Sequence, residues 1–382
     1  MSSISLIQIV TGLTAVISFI IGTSVLYHGA KRKFSPSLFL GFFFYCFTAM
    51  TALDFLVSLL TISEEELARV LMNLSTIAMI VSVLFFLLYT DRITGVTLAL
   101  SPKTAIGLFL CGITLGIAIE EPWEQLHVGT GSTGWVQLWQ DNFTIIFLFV
   151  LLFAFGNFLL TLWSAYKEIE NPRQRLIVFS VFWGLVIAVG GGAVLVVLED
   201  LALAGLLIPR LEIYVLFLGT IILGIAQLLE PLALYFIPAR IDVCGIANDS
   251  GVPYVSYVPV GGAFDTSLGT AAITGVQALI KEVANAEKGI KSLDSGDKKI
   301  LFEYYQAKEG SSRVIAFLIS SVETISLHDA LSHVLTTFIK QYEKDLDLVV
   351  DVDYFMPFQE EIKQILSFAI SKKESLIPPE LS

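Results

Sequence analysis

Residues 213–258 read IYVLFLGTIILGIAQLLEPLALYFIPARIDVCGIANDSGVPYVSYV. From Ile213 to Ile237 only Glu230 is charged. A helix crosses roughly 30 Å of hydrocarbon with about 20 mostly apolar residues, so this run is long enough to span. From Ile241 the texture changes. IDVCGIA and VPYVSYV flank Asn248-Asp249-Ser250-Gly251, a polar turn that suits a β-hairpin. The fold is decided at this join, with membrane protein before it and a soluble α/β module after it.

The composition divides at the same place. The chain has 382 residues, 55% hydrophobic and 15% charged, against about 25% charged in an ordinary globular domain. Residues 1–240 carry 11 Lys/Arg and 15 Asp/Glu, while residues 241–382 carry 12 and 20. A net charge of −12 and a pI near 4.8 argue against nucleic acid, because phosphate binding needs a basic face. After the split the charge is −4 on the first part and −8 on the second. An acidic module beneath an anionic leaflet is held off the lipid and left open to basic protein surfaces.

Seven stretches qualify as spans, at about 4–28, 38–62, 67–89, 97–119, 143–166, 175–198 and 213–237. The first lacks a basic leader and is long, so it reads as a retained span and not a cleaved signal. Nine basic residues (Lys31, Arg32, Lys33, Arg92, Lys103, Lys167, Arg173, Arg175 and Arg240) follow the odd-numbered spans. Only Arg69 and Arg210 lie on the other side. This asymmetry predicts an external N-terminus and a cytoplasmic C-terminal module in the cell membrane. No span carries a central lysine, which excludes a retinal Schiff base.

Polar residues inside a bilayer are expensive and become functional candidates. Asp54 in the second span and Asn73 in the third lie at similar depth, where they could line an outward-facing ligand site or form a packing hydrogen bond. Glu230 and Pro231 near the inner end of the last span are candidate coupling residues, since proline kinks helices. The alternative is an interfacial carboxylate beside a tolerated proline. Asn157, Gln227 and Gly190 to Gly192 read as helix packing. The external stretch 120–142 carries Trp123, Trp135 and Trp139, which suit a membrane–water interface. Its glycine-rich centre suits a hairpin cap or lid, so Trp135 and Trp139 join the candidate ligand contacts. His127 stands without spaced partners, and no metal set emerges.

Three segments carry a resemblance: EEELARVLMNLSTIAMIVSVLFFLLYTDRITG (64–95), NPRQRLIVFSVFWGLVIAVGGG (171–192) and IPRLEIYVLFLGTIILGIAQLLEPL (208–232). Together they resemble the seven-helix N-terminal sensor region of many membrane histidine kinases, over about residues 5–237. The resemblance implies a bundle that receives a signal and passes it to a cytoplasmic output. No kinase core follows, so the output module is a different one.

Beyond residue 241 the periodicities predict a helix at 265–287, with Asp265 as N-cap. Strands follow near 289–294, 298–305 and 313–320, then helices at 326–346 and 357–372. The order β-β-α-β-β-β-α-α resembles longin-like domains, relatives of the roadblock domains, across about 241–373. Roadblock domains begin with a helix, and here a membrane span precedes Ile241, which favours longin. That resemblance implies a small non-catalytic scaffold that binds Ras-like GTPases or pairs with its own kind.

The expected organisation is a multi-domain membrane protein: a seven-helix bundle (1–237), a linker (238–240), a longin-like α/β domain (241–373) and a tail (374–382). Cys46, Cys111 and Cys244 lack CxxC spacing and read as buried thiols. Gly261, Gly262 and Gly269 make no P-loop. His328 and His333 are poorly phased for a metal pair, and Asp347, Asp351 and Asp353 read as a solvated loop. Neither catalysis nor a cofactor is expected. The leading expectation is a receptor or docking platform that recruits a cytoplasmic protein, a small Ras-like GTPase being the partner implied, with a homodimer left open. The alternatives are a secondary transporter or channel with a regulatory domain, and a constitutive anchor.

Overall fold

The computed structural model describes residues 6–31, 35–60, 64–94, 101–120, 123–128, 135–139, 141–169, 172–192, 194–195, 211–229, 237–248, 250, 252–258, 291–296, 298–306, 313–343, 345–346, 352–366 and 369–370. They divide into two compact units. One holds the apolar helices and the other holds the C-terminal sheet.

Seven helices are long and apolar enough to cross a membrane: α1 (Leu6–Lys31), α2 (Pro36–Leu59), α3 (Glu65–Thr94), α4 (Pro102–Glu120), α5 (Asp141–Glu168), α6 (Pro172–Leu185, continued by a wider segment to Gly191) and α7 (Leu211–Leu229). Helices are the form such segments must take, because hydrocarbon offers no partner for an unpaired peptide group. Large apolar side chains cover the outside, with Leu152 and Leu160 each 70% exposed. The interior is aromatic where α2, α3 and α5 meet. Phe86 stacks on Phe155 at 4.2 Å between centroids, and Phe43, Tyr89 and Phe158 pack around them.

Small residues set the closest approaches, as they do when helices associate in lipid. The buried stripe of α1 includes Thr11, Thr14, Ser18, Gly22 and Gly29, and the three hydroxyls donate to carbonyls one turn back. A Cβ on Gly22 would lie 3.0 Å from Phe44 Cβ. In α6 the residues Val186–Gly191 adopt a π-helix beside α7. A Cβ on Gly219 there would lie 2.5 Å from Ala188 Cβ and 2.6 Å from the Gly184 carbonyl oxygen. Of the three successive glycines assigned to close packing, Gly191 faces Val215, whereas among the described residues nothing lies within 4 Å of a Cβ on Gly190 or Gly192. The tight contact belongs to Gly184 and Gly219.

Between α4 and α5 an antiparallel hairpin forms, β1 (Trp123–Val128) with β2 (Trp135–Trp139). Its strands flank the glycine-rich stretch 129–134.

In the second unit, β3 (Ile237–Asn248), β4 (Pro253–Tyr257), β5 (Ser292–Asp294), β6 (Lys299–Gln306) and β7 (Arg313–Ser320) form an antiparallel sheet in the order β4-β3-β7-β6-β5. Helices α8 (Ile325–Tyr342) and α9 (Phe358–Ile365) follow, with a short 3-10 turn at Val352–Phe355. Thr324 caps α8 by accepting from the Leu327 amide at 3.3 Å. Val243, Phe302, Ile315 and Phe317 bury one sheet face. By the two-residue pleat, Cys244, Ile246, Leu301, Val314, Ala316 and Leu318 lie on the other, where α8 packs.

The hairpin, the strand spacing and the later helix starts follow the sequence expectation. The helix expected at 265–287 lies outside the described residues, and the elements described are a five-strand antiparallel sheet and the two helices that follow it. Some boundaries differ. The last span is helical through Leu229, residues 230–236 lie outside the described residues, and Ile237 to Arg240, expected as span end and linker, already belong to β3. The apolar residues of the strand continue those of the helix, so hydropathy alone runs the two together. The final helix ends at Ile365, short of 372, and Ala369–Ile370 forms β8, parallel to β3. The pairing of β3 with β8 jumps from Ile237 to Arg240. That skips Pro238, which has no amide hydrogen to donate. The sixth span holds the π segment at Val186–Gly191 and is α-helical again at residues 192 and 194–195, while residues 196–198 of the expected span lie outside the described residues.

Candidate functional site

The polar groups of the bundle gather where α2 turns into α3. Val57, Ala68 and Met72 pack there with Leu60 and Leu71, which fixes the two helices side by side. One helical face of α3 carries Ala68, Met72 and Ser75 at the spacing i, i+4, i+7. The Ser75 hydroxyl donates to Asp54 Oδ1 at 2.6 Å and lies 3.3 Å from the Met50 carbonyl oxygen. A carboxylate in the bilayer thus receives a short, charge-assisted hydrogen bond from the adjoining helix.

Asn73 does not share that arrangement. It lies two residues before Ser75, about 200° around the helix axis, and so off the face that meets Asp54. Its Oδ1 atom is buried and finds no hydrogen-bond donor among the described residues. The two candidates are therefore near in sequence depth but are not brought to one face. At the same end of the bundle, Gln8 of α1 donates from Nε2 to the Ser58 carbonyl at 2.7 Å. Ile7 and Val10 of α1 meet Ile213 of α7, with Tyr214 and Phe217 packed beside them. Asp54 and Asn73 each offer an acceptor, on different faces of the helix pair, and the structure does not join them into one site.

The sequence reading passed over Ser75 and Gln8 because both sit inside apolar runs. Ser75 carried a usable signal as a polar residue on the face shared with Ala68 and Met72. It also passed over Asp91, placed just past the expected end of the third span. Asp91 is 5% exposed and accepts from the Thr104 hydroxyl at 2.7 Å and the Ser101 amide at 3.2 Å. Ser101 in turn accepts from the Thr104 amide at 3.2 Å, so the start of α4 is both capped and tied to α3. Asn157 donates to the Phe153 carbonyl of its own helix at 2.7 Å.

The hairpin register places Trp123 opposite Trp139, and Val128 opposite Trp135. Glu230 and Pro231 lie outside the described residues.

In the sheet unit, the His328 imidazole of α8 lies between two carboxylates, 3.0 Å from Glu323 and 3.9 Å from Glu303 of β6. Those carboxylates, Glu303 foremost, hold its pKa above the ordinary value, against an opposing effect of burial. Burial pushes the Cys244 thiol up to about 12, so it remains an inert thiol. Among the described residues, no group of three or more His, Cys, Asp or Glu side chains could hold a metal ion. Compared with known proteins, the chain matches no family model and no curated protein, so its function is argued from its own architecture and chemistry.

Proposed function

We propose that the chain is a multi-pass membrane receptor or docking platform. Its bundle senses a ligand or membrane state, and its longin-like module recruits a cytoplasmic protein, a small Ras-like GTPase. The single observation that carries this reading is the join. At most seven residues (230–236) separate Leu229, the last described residue of the last apolar helix, from β3, starting at Ile237. That strand lies inside the sheet, with β4 and β7 as antiparallel neighbours and β8 added in parallel. So short a connection favours passing a tilt or rotation of α7 to the strand on which the sheet is built. Glu230 and Pro231 fall within it and are the proposed coupling residues.

The basic residues after the odd-numbered spans support an external N-terminus and a cytoplasmic module. Asp54 and the unsatisfied Asn73 oxygen are the proposed ligand-sensing groups, since a polar atom left unpaired in hydrocarbon gains most from a partner. The test is capture by the full-length protein in nanodiscs, offered a panel of purified small GTPases in GDP-bound and GTP-analogue-bound states. Retention of one GTPase in one nucleotide state is expected. Retention of none in either state overturns the GTPase assignment.

A further inference from the structure

The sixth span changes its hydrogen-bonding class part-way along. It is α-helical over Pro172–Leu185, a π-helix over Val186–Gly191, and α-helical again at residues 192 and 194–195. In the π segment an amide reaches the carbonyl five residues back, where an α-helix reaches four. A single wide turn between two α-helical parts therefore holds one residue more than an α-helix would. One residue of α-helix is about 100° of turn and about 1.5 Å of rise. Residues 192, 194 and 195 are thus out of phase with Pro172–Leu185 by that amount.

Helix α7 rests across this change. Val215, Gly219 and Leu223 recur every four residues on one face of α7. A Cβ on Gly184 would lie 3.0 Å from Leu223 Cγ, and one on Gly191 would lie 2.6 Å from Val215 Cγ1. Between them, Gly219 closes on the backbone nitrogen of Ala188. Gly184 belongs to the α part, whereas Ala188 and Gly191 belong to the wide segment. The α part is held on α5, where Phe182 packs on Trp163 at 5.5 Å between centroids. Gly190, Gly191 and Gly192 each weaken the α-helix relative to alanine, and Val186, Ile187 and Val189 are β-branched, so the sequence prefers the α form only weakly here. An unpaired peptide group is costly in hydrocarbon. Moving an amide from the fifth carbonyl back to the fourth leaves none unpaired within the segment.

We propose that Val186–Gly191 is a conformational joint that alternates between this π form and a plain α form, the extra residue passing to the C-terminal end of α6. In the α form the residues beyond the joint turn by about 100° from their present phase. Ala188 and Gly191 then shift beneath Gly219 and Val215, while Gly184 stays beneath Leu223, so α7 has two packed positions. The joint deepens the receptor reading, on which its role in signalling rests, by naming where the bundle repositions α7. It is read without a GTPase, so the joint and the GTPase assignment fail separately.

The experiment measures spin-label distances in the full chain, with Cys46, Cys111 and Cys244 replaced by alanine, in phosphatidylcholine nanodiscs. Labels are placed by Leu152→Cys on α5 and Val194→Cys beyond the joint, positions 70% and 59% exposed. A side chain reaching about 6 Å from the helix axis moves roughly 9 Å on a 100° turn. Two distance populations about 3 Å or more apart are expected. Gly190→Ala favours the α form and should move their ratio toward it about fivefold. A single population overturns the joint, and so does a ratio that Gly190→Ala leaves unmoved. If the Leu152→Cys pair fails to fold, Leu160→Cys, also at a position 70% exposed, replaces it and gives the same readout.

Discussion

The ring of Phe317 lies across Gly245, its register partner on the adjoining strand. A Cβ on Gly245 would sit 2.5 Å from Phe317 Cζ. Phe317 is 2% exposed and packs with Val243, Phe302 and Ile315, so it has little room to yield. Overpacking a buried site costs about 1–3 kcal/mol. Gly245→Ala should destabilise the sheet unit by that order, and Phe317→Leu should recover part of the loss in the double variant. Hydrogen exchange of β3 and β7 peptides in the full chain reads both effects. Equal protection in Gly245→Ala and the unaltered chain would refute the contact.

The Ser75–Asp54 bond makes a second prediction. Removing the hydroxyl by Ser75→Ala leaves the carboxylate without this donor and should cost about 1–2 kcal/mol. Asp54→Asn keeps an acceptor for Ser75 and should cost less. Thermal unfolding in detergent compares the two. The opposite order of stabilities would show that the charge of Asp54, and not this bond, holds the helices.

Asp91 receives both its donors from the first residues of α4, so its loss should be felt there. Asp91→Ala is expected to raise hydrogen exchange at residues 101–106 at least tenfold and leave α1 and α7 unchanged. A tenfold change corresponds to about 1.4 kcal/mol, within the range for an orphaned buried donor. Thr104→Val, which removes the 2.7 Å hydroxyl bond but no charge, should give a smaller rise at the same residues.

The contrast between Gly219 and Gly190 gives the clearest packing test. A Cβ on Gly219 meets the Ala188 nitrogen at 2.6 Å as well as its Cβ, and backbone cannot move aside without parting α6 from α7. Gly219→Val should therefore abolish the folded bundle in detergent. Among the described residues, Gly190 has nothing within 4 Å of its would-be Cβ. Gly190→Ala should be neutral, or stabilising by about 0.5–1 kcal/mol through reduced backbone freedom. Similar melting behaviour of the two variants would rule out the close crossing.

The legible features were those written in local chemistry. Apolar runs of span length gave the seven helices, and the polar Asn248-Asp249-Ser250-Gly251 between two apolar runs and the glycines between Trp123 and Trp139 gave both hairpins. Other features depend on partners distant in the chain. The π segment at Val186–Gly191 lies against α7 in a crossing set by Gly219, which no local pattern specifies. Phe358, Ile362, Ile365 and Ala369 keep a helical phase, yet the chain leaves the helix at Ile365 to pair with β3. In the candidate site, the expense of charge in lipid picked out Asp54. Its partner was a serine whose face becomes visible only once α2 and α3 are laid together.

His328 supplies a pH prediction whose sign is fixed by its surroundings. In the folded unit its pKa is raised above 6.5 by the Glu303 and Glu323 carboxylates. A raised folded value means that protonated His328 stabilises the fold, fully so below the unfolded pKa of about 6.5. The contribution is lost as pH climbs through the folded value. Protection of residues 323–335 in the full chain, corrected for intrinsic exchange, should accordingly be greater at pH 6 than at pH 8. His328→Gln removes the titrating group while keeping a hydrogen-bonding side chain, and should flatten the difference. A pH 6 to pH 8 change of the same size in the variant would assign the effect to other groups.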